Sequence, residues 1–146
     1  MKHLKRFNEV NLNQYPIGSV NELNIKDVIK TIRDILLPIA DMGYDIGITD
    51  NRNIEDPTYF AQTGKFYIRV VGYTDDPLNM NDEVKDEFIR MNDYLEDLGG
   101  RVNALYVPES ASYHDNNAGR RDVPFNDFIK VEDCKLRNLL FVVDIS

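Results

Sequence analysis

The chain has few of the residues on which disulfides and metal sites depend. Its 146 residues include one cysteine, Cys134, and two histidines, His3 and His114. A single cysteine excludes an internal disulfide and a multi-cysteine zinc site, so a reducing compartment is the default expectation. One histidine in the body of the chain makes a poor transition-metal site. We therefore expect no metal and no cofactor.

Long apolar runs and an excess of positive charge are also missing. No stretch approaches the roughly 20 apolar residues that cross a bilayer, and the basic residues 1–6 are followed by polar ones rather than by the apolar core of a secretion signal. Lysine and arginine number 17 against 25 acidic residues, for a formal net charge of −8. This acidity disfavours nucleic acid and anionic lipid as partners, and it allows a basic protein surface.

The composition is that of one folded domain. Hydrophobic residues make up 42% of the chain and charged residues 29%, which is ordinary for a globular protein. Pro16 and Gly18 break any regular element near the start. We expect an N-terminal arm over residues 1–23, which either frays or folds against a neighbouring subunit, and a single α+β domain over residues 24–146.

Residues 24–49 have the pattern of a helix that leads into a strand. Asn24 is placed to cap the helix and Gly43 to end it, and Pro38 predicts a kink in the last turn. After Gly43 the apolar residues alternate, which predicts a strand with one covered face. Apolar helical positions recur at three- and four-residue spacing: Ile25, Val28, Ile29, Ile32, Ile35, Leu36 and Ile39.

The next part of the chain predicts a connection, a strand and a second helix. Residues 50–64 are polar and contain turn residues, so we expect an irregular connection. Residues 65–73 are apolar on both faces, which favours an interior strand, and residues 74–79 form a turn. Asn81 is placed to cap a helix that ends at Gly99. Its apolar stripe is Val84, Phe88, Met91, Leu95 and Leu98.

The last third predicts further strands around a long loop. Residues 102–107 have a strand pattern, residues 108–124 a loop pattern, and residues 128–131 the pattern of a short strand. Residues 139–145 form the most apolar strand, which favours a central position in the sheet.

The predicted fold class is α+β, with two helices on one face of a four- to five-stranded, mostly antiparallel sheet. A helical crossover joins the second and third strands and makes them parallel, while the first two strands form an antiparallel hairpin. With the last strand antiparallel to the third and parallel beside the second, the fold is a ferredoxin-like sandwich whose first strand has moved to the C-terminus. Tyr67, Val71, Tyr106 and Val142 would then remain exposed unless the arm or a second copy covers them.

Two segments carry a resemblance to known proteins. The start, MKHLKRFNEV (residues 1–10), resembles the short basic-aromatic leader of many small uncharacterised proteins of tailed bacteriophages and of Bacteroidetes-type genomes. The segment DILLPIADMGYDIGI (residues 34–48) is similar to a helix-to-strand segment of uncharacterised phage proteins. The resemblance covers about a sixth of the chain and implies no activity. It implies a location in the host-cell cytoplasm or in the virion.

The loop over residues 108–124 is the best candidate for a binding site. A connection of this length is uncommon in a compact domain and is often either functional or mobile. Two adjacent arginines with nearby hydroxyl groups suit a phosphate or carboxylate through charge-assisted hydrogen bonds. A solvated loop is the alternative interpretation. The candidate ligand-binding residues are Tyr113, His114, Arg120 and Arg121.

Catalytic interpretations find little support in the residue pattern. Ser110 or Ser112 with His114 has no spacing that nucleophilic catalysis requires. Cys134 lies among carboxylates, which raise a thiol pKa, so a structural thiol is expected. The acidic residues around Asn81 miss the spacing of a calcium loop, and helix capping accounts for them.

Three functional hypotheses follow. The first is a non-enzymatic phage or mobile-element protein that acts through protein–protein contacts, as a homo-oligomer, an accessory protein or a minor virion component. The second is a counter-defence or small-ligand-binding protein that captures a phosphorylated ligand through Arg120 and Arg121. The third is a hydrolase or phosphodiesterase that uses His114.

Overall fold

The structure, a computed structural model, describes residues 22–50, 52, 54–72, 77–109, 120–132 and 134–145, without the side chains of residues 22–24. These residues form five helices and six strands, and the predicted α+β class is confirmed. In chain order the elements are α1 (Glu22–Ile35), α2 (Leu37–Asp41), β1 (Tyr44–Thr49), α3 (Pro57–Thr63), β2 (Lys65–Gly72), β3 (Leu78–Asn79), α4 (Asp82–Asp97), β4 (Arg101–Pro108), β5 (Arg121–Pro124), α5 (Phe125–Phe128) and β6 (Lys135–Asp144).

The strands form one open sheet in the order β1-β2-β6-β4-β5, and the two-residue β3 pairs with β6 outside this order. Every pairing is antiparallel. The central position predicted for the last strand is confirmed, because β6 lies between β2 and β4. The prediction that it runs parallel to β2 is wrong. Since the crossover through α4 makes β2 and β4 point the same way, a strand between them that is antiparallel to one is antiparallel to both.

The first helix ends earlier than the pattern predicts. α1 stops at Ile35, Leu36 forms a turn, and Pro38 lies in the first turn of the separate helix α2. Proline has no amide hydrogen to donate to the carbonyl four residues before it, so a new helix start is its favoured place. Gly43 then adopts a φ of 101° before β1, which a residue with a Cβ rarely adopts.

Helix α3 lies within residues 50–64, where the sequence predicts only a polar connection. The Asp56 carboxylate accepts hydrogen bonds from the amides of Thr58 and Tyr59, at 3.1 and 3.2 Å, and therefore caps the helix. Gly64 ends it with a φ of 69°. The residues read as turn signals are thus the start and stop signals of a short helix.

Helix α4 agrees with its prediction. The Asn81 side chain accepts a hydrogen bond of 3.0 Å from the Val84 amide, as an N-cap does. The side of α4 that faces the sheet is buried at Val84, Phe88, Met91, Asn92 and Leu95.

Two predictions for the last third are wrong. The loop assigned to residues 108–124 contains strand β5, which pairs with β4. The short strand assigned to residues 128–131 is replaced by the helical turn α5, with Phe125 and Phe128 buried. Four-residue apolar runs suit a buried helical turn as well as a strand, so periodicity does not separate the two.

One hydrophobic core joins the helices to a single face of the sheet. Buried residues of α1, α2, α3, α4 and α5 belong to the same cluster as alternate residues of β1, β2, β4 and β6. Its centre is aromatic: the ring of Phe141 on β6 lies 4.9 Å from that of Phe88 and 5.6 Å from that of Phe128, both edge-on. Such edge-to-face contacts add to the energy of burial.

Candidate interaction surface

The strand residues that alternate with the core residues form the opposite face of the sheet, which we call the open face. Its apolar side chains are half-buried, and they are not among the residues packed on the core. Because the buried sides of all the described helices join the core, no helix in the described part of the chain lies against the open face. The apolar residues of this face are Tyr67, Val71, Leu105, Val107, Leu140 and Val142.

The strand register arranges the open face in rows that cross the sheet. One row runs Gly47–Arg69–Leu140–Leu105–Asp122, so two leucines lie side by side at the centre. The next row runs Thr49–Tyr67–Val142–Asn103–Pro124. The centre of the face is therefore apolar over neighbouring strands.

Charged residues surround this apolar centre. Cross-strand partners Lys65, Asp144 and Arg101 form a third row at one end of the sheet. Arg69 and Asp122 are exposed on opposite sides of the leucine pair. An apolar centre with a charged, solvated rim is the usual composition of a protein–protein contact surface.

Of the four residues predicted to remain exposed, Tyr106 is the exception. It lies on the core face and is only 8% exposed, whereas Tyr67, Val71 and Val142 lie on the open face. Burial raises the pKa of the Tyr106 hydroxyl, and the nearby Arg121 opposes this effect. The error comes from assigning the wrong face of β4, because a shift of one residue moves every side chain to the other face.

Of the four residues predicted to bind an anionic ligand in the segment 108–124, the structure describes two. Arg120 and Arg121 lie next to each other at the start of β5 and both are exposed. Tyr113 and His114 lie outside the described residues. The capture of a phosphorylated ligand by this segment therefore stays a prediction.

A groove between α1 and the segment before α3 is the second place where charged groups meet. Its volume is about 440 Å³, and Lys26, Lys30, Arg33, Asp34 and Glu55 are among its lining residues. Lys30 pairs with Asp34 at 2.9 Å, and Arg33 pairs with Glu55. Because these cations already have acidic partners, the groove is a weak candidate for an anionic ligand.

Arg33 also has a structural role at the edge of the sheet. Its guanidinium donates a hydrogen bond of 3.2 Å to the backbone carbonyl of Ile46, on β1. β1 is an edge strand, and the free backbone groups of an edge strand invite pairing with other chains. Arg33 satisfies one of these groups and holds α1 against the edge.

A buried carboxylate organises the turn after β1. Asp50 is 2% exposed and accepts hydrogen bonds from the amides of Arg52 and Ile54, at 2.7 and 3.0 Å. The Arg52 guanidinium also donates to it, at 2.8 and 2.5 Å, and lies 5.3 Å from the centre of the Tyr59 ring. Burial alone would raise the pKa of Asp50, but the bonds from Arg52 and Ile54 outweigh it and hold that pKa below its ordinary value. With its donors all within the turn, Asp50 is structural.

Other kinds of site find no support in the described residues. In that part of the chain, no group of three His, Cys, Asp or Glu side chains is placed to hold a metal ion. The helices of the same residues include none long and apolar enough to cross a membrane. The open face is therefore the strongest candidate for a functional surface. Its key positions, Arg69, Leu105, Leu140 and Asp122, are not singled out by the sequence, because only the register places them together.

Comparison of the chain with protein families, with curated proteins and with solved structures finds no match.

Proposed function

We propose that this is a non-enzymatic protein that acts through protein–protein contacts and self-associates through the open face. The observation that carries the proposal is the group of six half-buried apolar side chains on a sheet face against which no described helix lies. Contiguous apolar surface of this kind marks interaction sites on otherwise polar proteins. When an assembly buries this apolar surface, its removal from water contributes a favourable free energy of about 25 cal/mol for each Å².

The role we propose for this assembly is that of an accessory or minor virion component of a tailed phage or mobile element. The resemblance of residues 1–10 and 34–48 to phage proteins supports this proposal, as does the lack of any catalytic arrangement among the described residues. The net charge of −8 keeps the free protein soluble and repels nucleic acid.

We further propose that the domain is a circularly permuted ferredoxin-like sandwich with α1 and α4 as its two helices. The strand order β1-β2-β6-β4, with antiparallel neighbours, supports this assignment. β6 takes the place that the first strand has in the unpermuted fold. In such a sandwich the helices cover one face, and the other is free for association.

Light scattering with sedimentation over a range of concentrations tests the proposal. We expect the full chain to self-associate, and we expect Leu140→Lys to raise the dissociation constant by about 100-fold or more, since it buries an unpaired ammonium at the centre of the contact. Ile89→Lys is the matched control, because Ile89 is 39% exposed on α4 and lies away from the open face. A chain that stays monomeric at every concentration, or a Leu140→Lys variant that associates like the unmodified chain, would refute the proposal.

A further inference from the structure

We infer that the open face packs against the open face of a second copy. The two copies are related by a two-fold axis that lies above the open face, over the boundary between β4 and β6, and runs parallel to the strands. This inference rests on the proposed function, because it specifies how the proposed self-association is built. It adds the geometry of the dimer and the residues that select the partner.

The central row of the open face carries the same kinds of position on both sides of this axis, a leucine next to it and a charged residue further out. Leu140 and Leu105 are adjacent on β6 and β4, and Arg69 and Asp122 lie one strand further out on either side. Strands are about 4.8 Å apart, so Arg69 and Asp122 are both about 7 Å from the axis. One half of the row therefore carries a cation where the other half carries an anion.

A two-fold rotation about this axis turns the two sheets face to face and exchanges the halves of each row. Leu140 then lies over Leu105 of the second copy, and Arg69 lies over Asp122 of the second copy. Each pairing occurs twice in the dimer. Packed sheets are about 10 Å apart, a gap that a long arginine and a short aspartate bridge together.

The same rotation can be followed in two further rows. In the end row, Asp144 lies over Arg101 of the second copy. In the row of Tyr67, the aromatic ring lies over Pro124 of the second copy, and Val142 lies over Asn103. Each of these two rows thus contains a pairing of opposite charges or of apolar groups, Val142 over Asn103 places an apolar group over a polar one, and like charges do not meet.

Charge favours a second copy over the N-terminal residues as the occupant of the open face. Residues 1–21 carry three cations, Lys2, Lys5 and Arg6, and one anion, Glu9, for a net charge of +2. The paired strand positions of the open face carry four cations, Lys65, Arg69, Arg101 and Lys135, and three anions, Asp45, Asp122 and Asp144. A basic segment gains little from a surface with this mixture of charges, whereas a symmetric copy places opposite charges over one another.

The area of the contact suits a weak dimer. About this axis β1 has no counterpart, and the four strands that overlap, of which β5 has only four residues, cover roughly 400 Å² per copy at a strand spacing of about 4.8 Å. The dimer therefore buries about 800 Å² in total, which is below the standard size of a stable interface and within the range of a transient one. Charge pairing at the rim then fixes the register of the two copies.

Charge exchange in the full chain tests the geometry. Arg69→Asp and Asp122→Arg each place like charges over one another at two points of the dimer, so each should raise the dissociation constant by about tenfold or more. The double variant Arg69→Asp/Asp122→Arg restores opposite charges and should return the constant to within about threefold of the unmodified value. Arg90→Asp and Asp93→Arg, at exposed positions on α4, are the matched controls.

The outcomes separate this inference from the proposed function. Weakening by both single variants and recovery in the double variant support the two-fold arrangement. Association that Leu140→Lys abolishes but that neither single charge variant weakens overturns the two-fold arrangement and leaves contact through the open face in place. A double variant whose dissociation constant stays as high as that of the single variants also overturns the arrangement. Lack of association in the unmodified chain overturns both.

Discussion

At the scale of single residues, Asp50 shows how a charged group is held inside a small domain. A buried carboxylate is costly unless its oxygens are paired, and Asp50 accepts from two backbone amides and from the Arg52 guanidinium. These bonds favour the ionised form, so the pKa of Asp50 is lower in the folded chain than in the unfolded chain. The sequence does not mark this residue, because nothing distinguishes it from the exposed acidic residues around it.

The pH dependence of stability should report the Asp50 interaction. Since folding lowers the pKa of Asp50, its stabilising contribution is present above the unfolded pKa, near 4, and is lost as the pH falls through the folded pKa. We expect Asp50→Asn to lower the free energy of unfolding most at pH 6 to 7, and the difference from the unmodified chain to narrow below about pH 4. Urea unfolding at a series of pH values measures this difference.

Asp45→Asn is the control for the Asp50 prediction, because Asp45 is exposed on β1. A difference between Asp50→Asn and the unmodified chain that stays constant from pH 7 down to pH 2 would show that the charge of Asp50 does not contribute.

At the scale of elements, long periodic segments are predictable and short ones are not. The burial of Ile25, Val28 and Ile32 on α1 follows from helical spacing and is confirmed. The stripe on α4 is confirmed at Val84, Phe88, Met91 and Leu95, whereas Leu98 lies just beyond the end of the helix and is partly buried. The seven residues of α3 are too few to show a period, although Asp56, Pro57 and Gly64 mark its two ends. The prediction of a strand where α5 lies is wrong for the same reason, because four residues are too few to distinguish a helical turn from a strand.

The aromatic centre of the core should contribute strongly to stability. Phe88 on α4 is fully buried and touches the rings of Phe128 and Phe141, so it joins the helix to the central strand. We expect Phe88→Ala to lower the free energy of unfolding by about 3 to 5 kcal/mol, through lost burial and the cavity it leaves. Chemical denaturation followed by circular dichroism measures this loss.

The neighbouring residue provides the control for the Phe88 prediction. Ile89 is 39% exposed on the same helix, so Ile89→Ala should change the free energy of unfolding by no more than about 0.5 kcal/mol. Equal effects of Phe88→Ala and Ile89→Ala would mean that α4 does not pack on the sheet through Phe88.

At the scale of the whole molecule, the start of α1 and the end of β6 lie at the same end of the sheet. Tyr94, in the last turns of α4, lies close to Asp27 and Thr31 in the middle of α1. Burial raises the pKa of the Tyr94 hydroxyl, the hydrogen bond with Thr31 lowers it, and the charge of Asp27 raises it. Gly100, just after α4, has so little space that a Cβ there would be 3.3 Å from the carbonyl of Asp144. A short linker can therefore join these two points.

Circular permutation tests this topology. We expect a chain of residues 135–146, a linker of about six glycine and serine residues, and residues 22–134 to fold with the same secondary structure, since flexible linkers of this length span about 12 Å or more. Circular dichroism and thermal unfolding measure the outcome, with residues 22–146 followed by the same linker as the control, so that both chains lack residues 1–21. Loss of a cooperative transition in the permuted chain alone would refute the proposed ferredoxin-like topology.

The sequence predicts the fold class and the centre of the sheet because these depend on apolar patterns within single segments. The two faces of β4, the pairing of β5 and the rows of the open face depend on register, which is fixed by residues far apart in the chain. The candidate surface is therefore visible only when the strands are in place. Leu105 and Leu140, 35 positions apart in the sequence, are neighbours only through the pairing of β4 with β6.

The position of β6 also affects how the protein is made. A nascent chain leaves the ribosome with β2 and β4 already synthesised, while the strand that must fill the space between them is still to come. Until β6 is in place, β2 and β4 each have one unpaired edge, and unpaired edges promote misassembly when many copies are translated together. Pairing of β6 with both strands covers the two edges at once and ends that vulnerable interval.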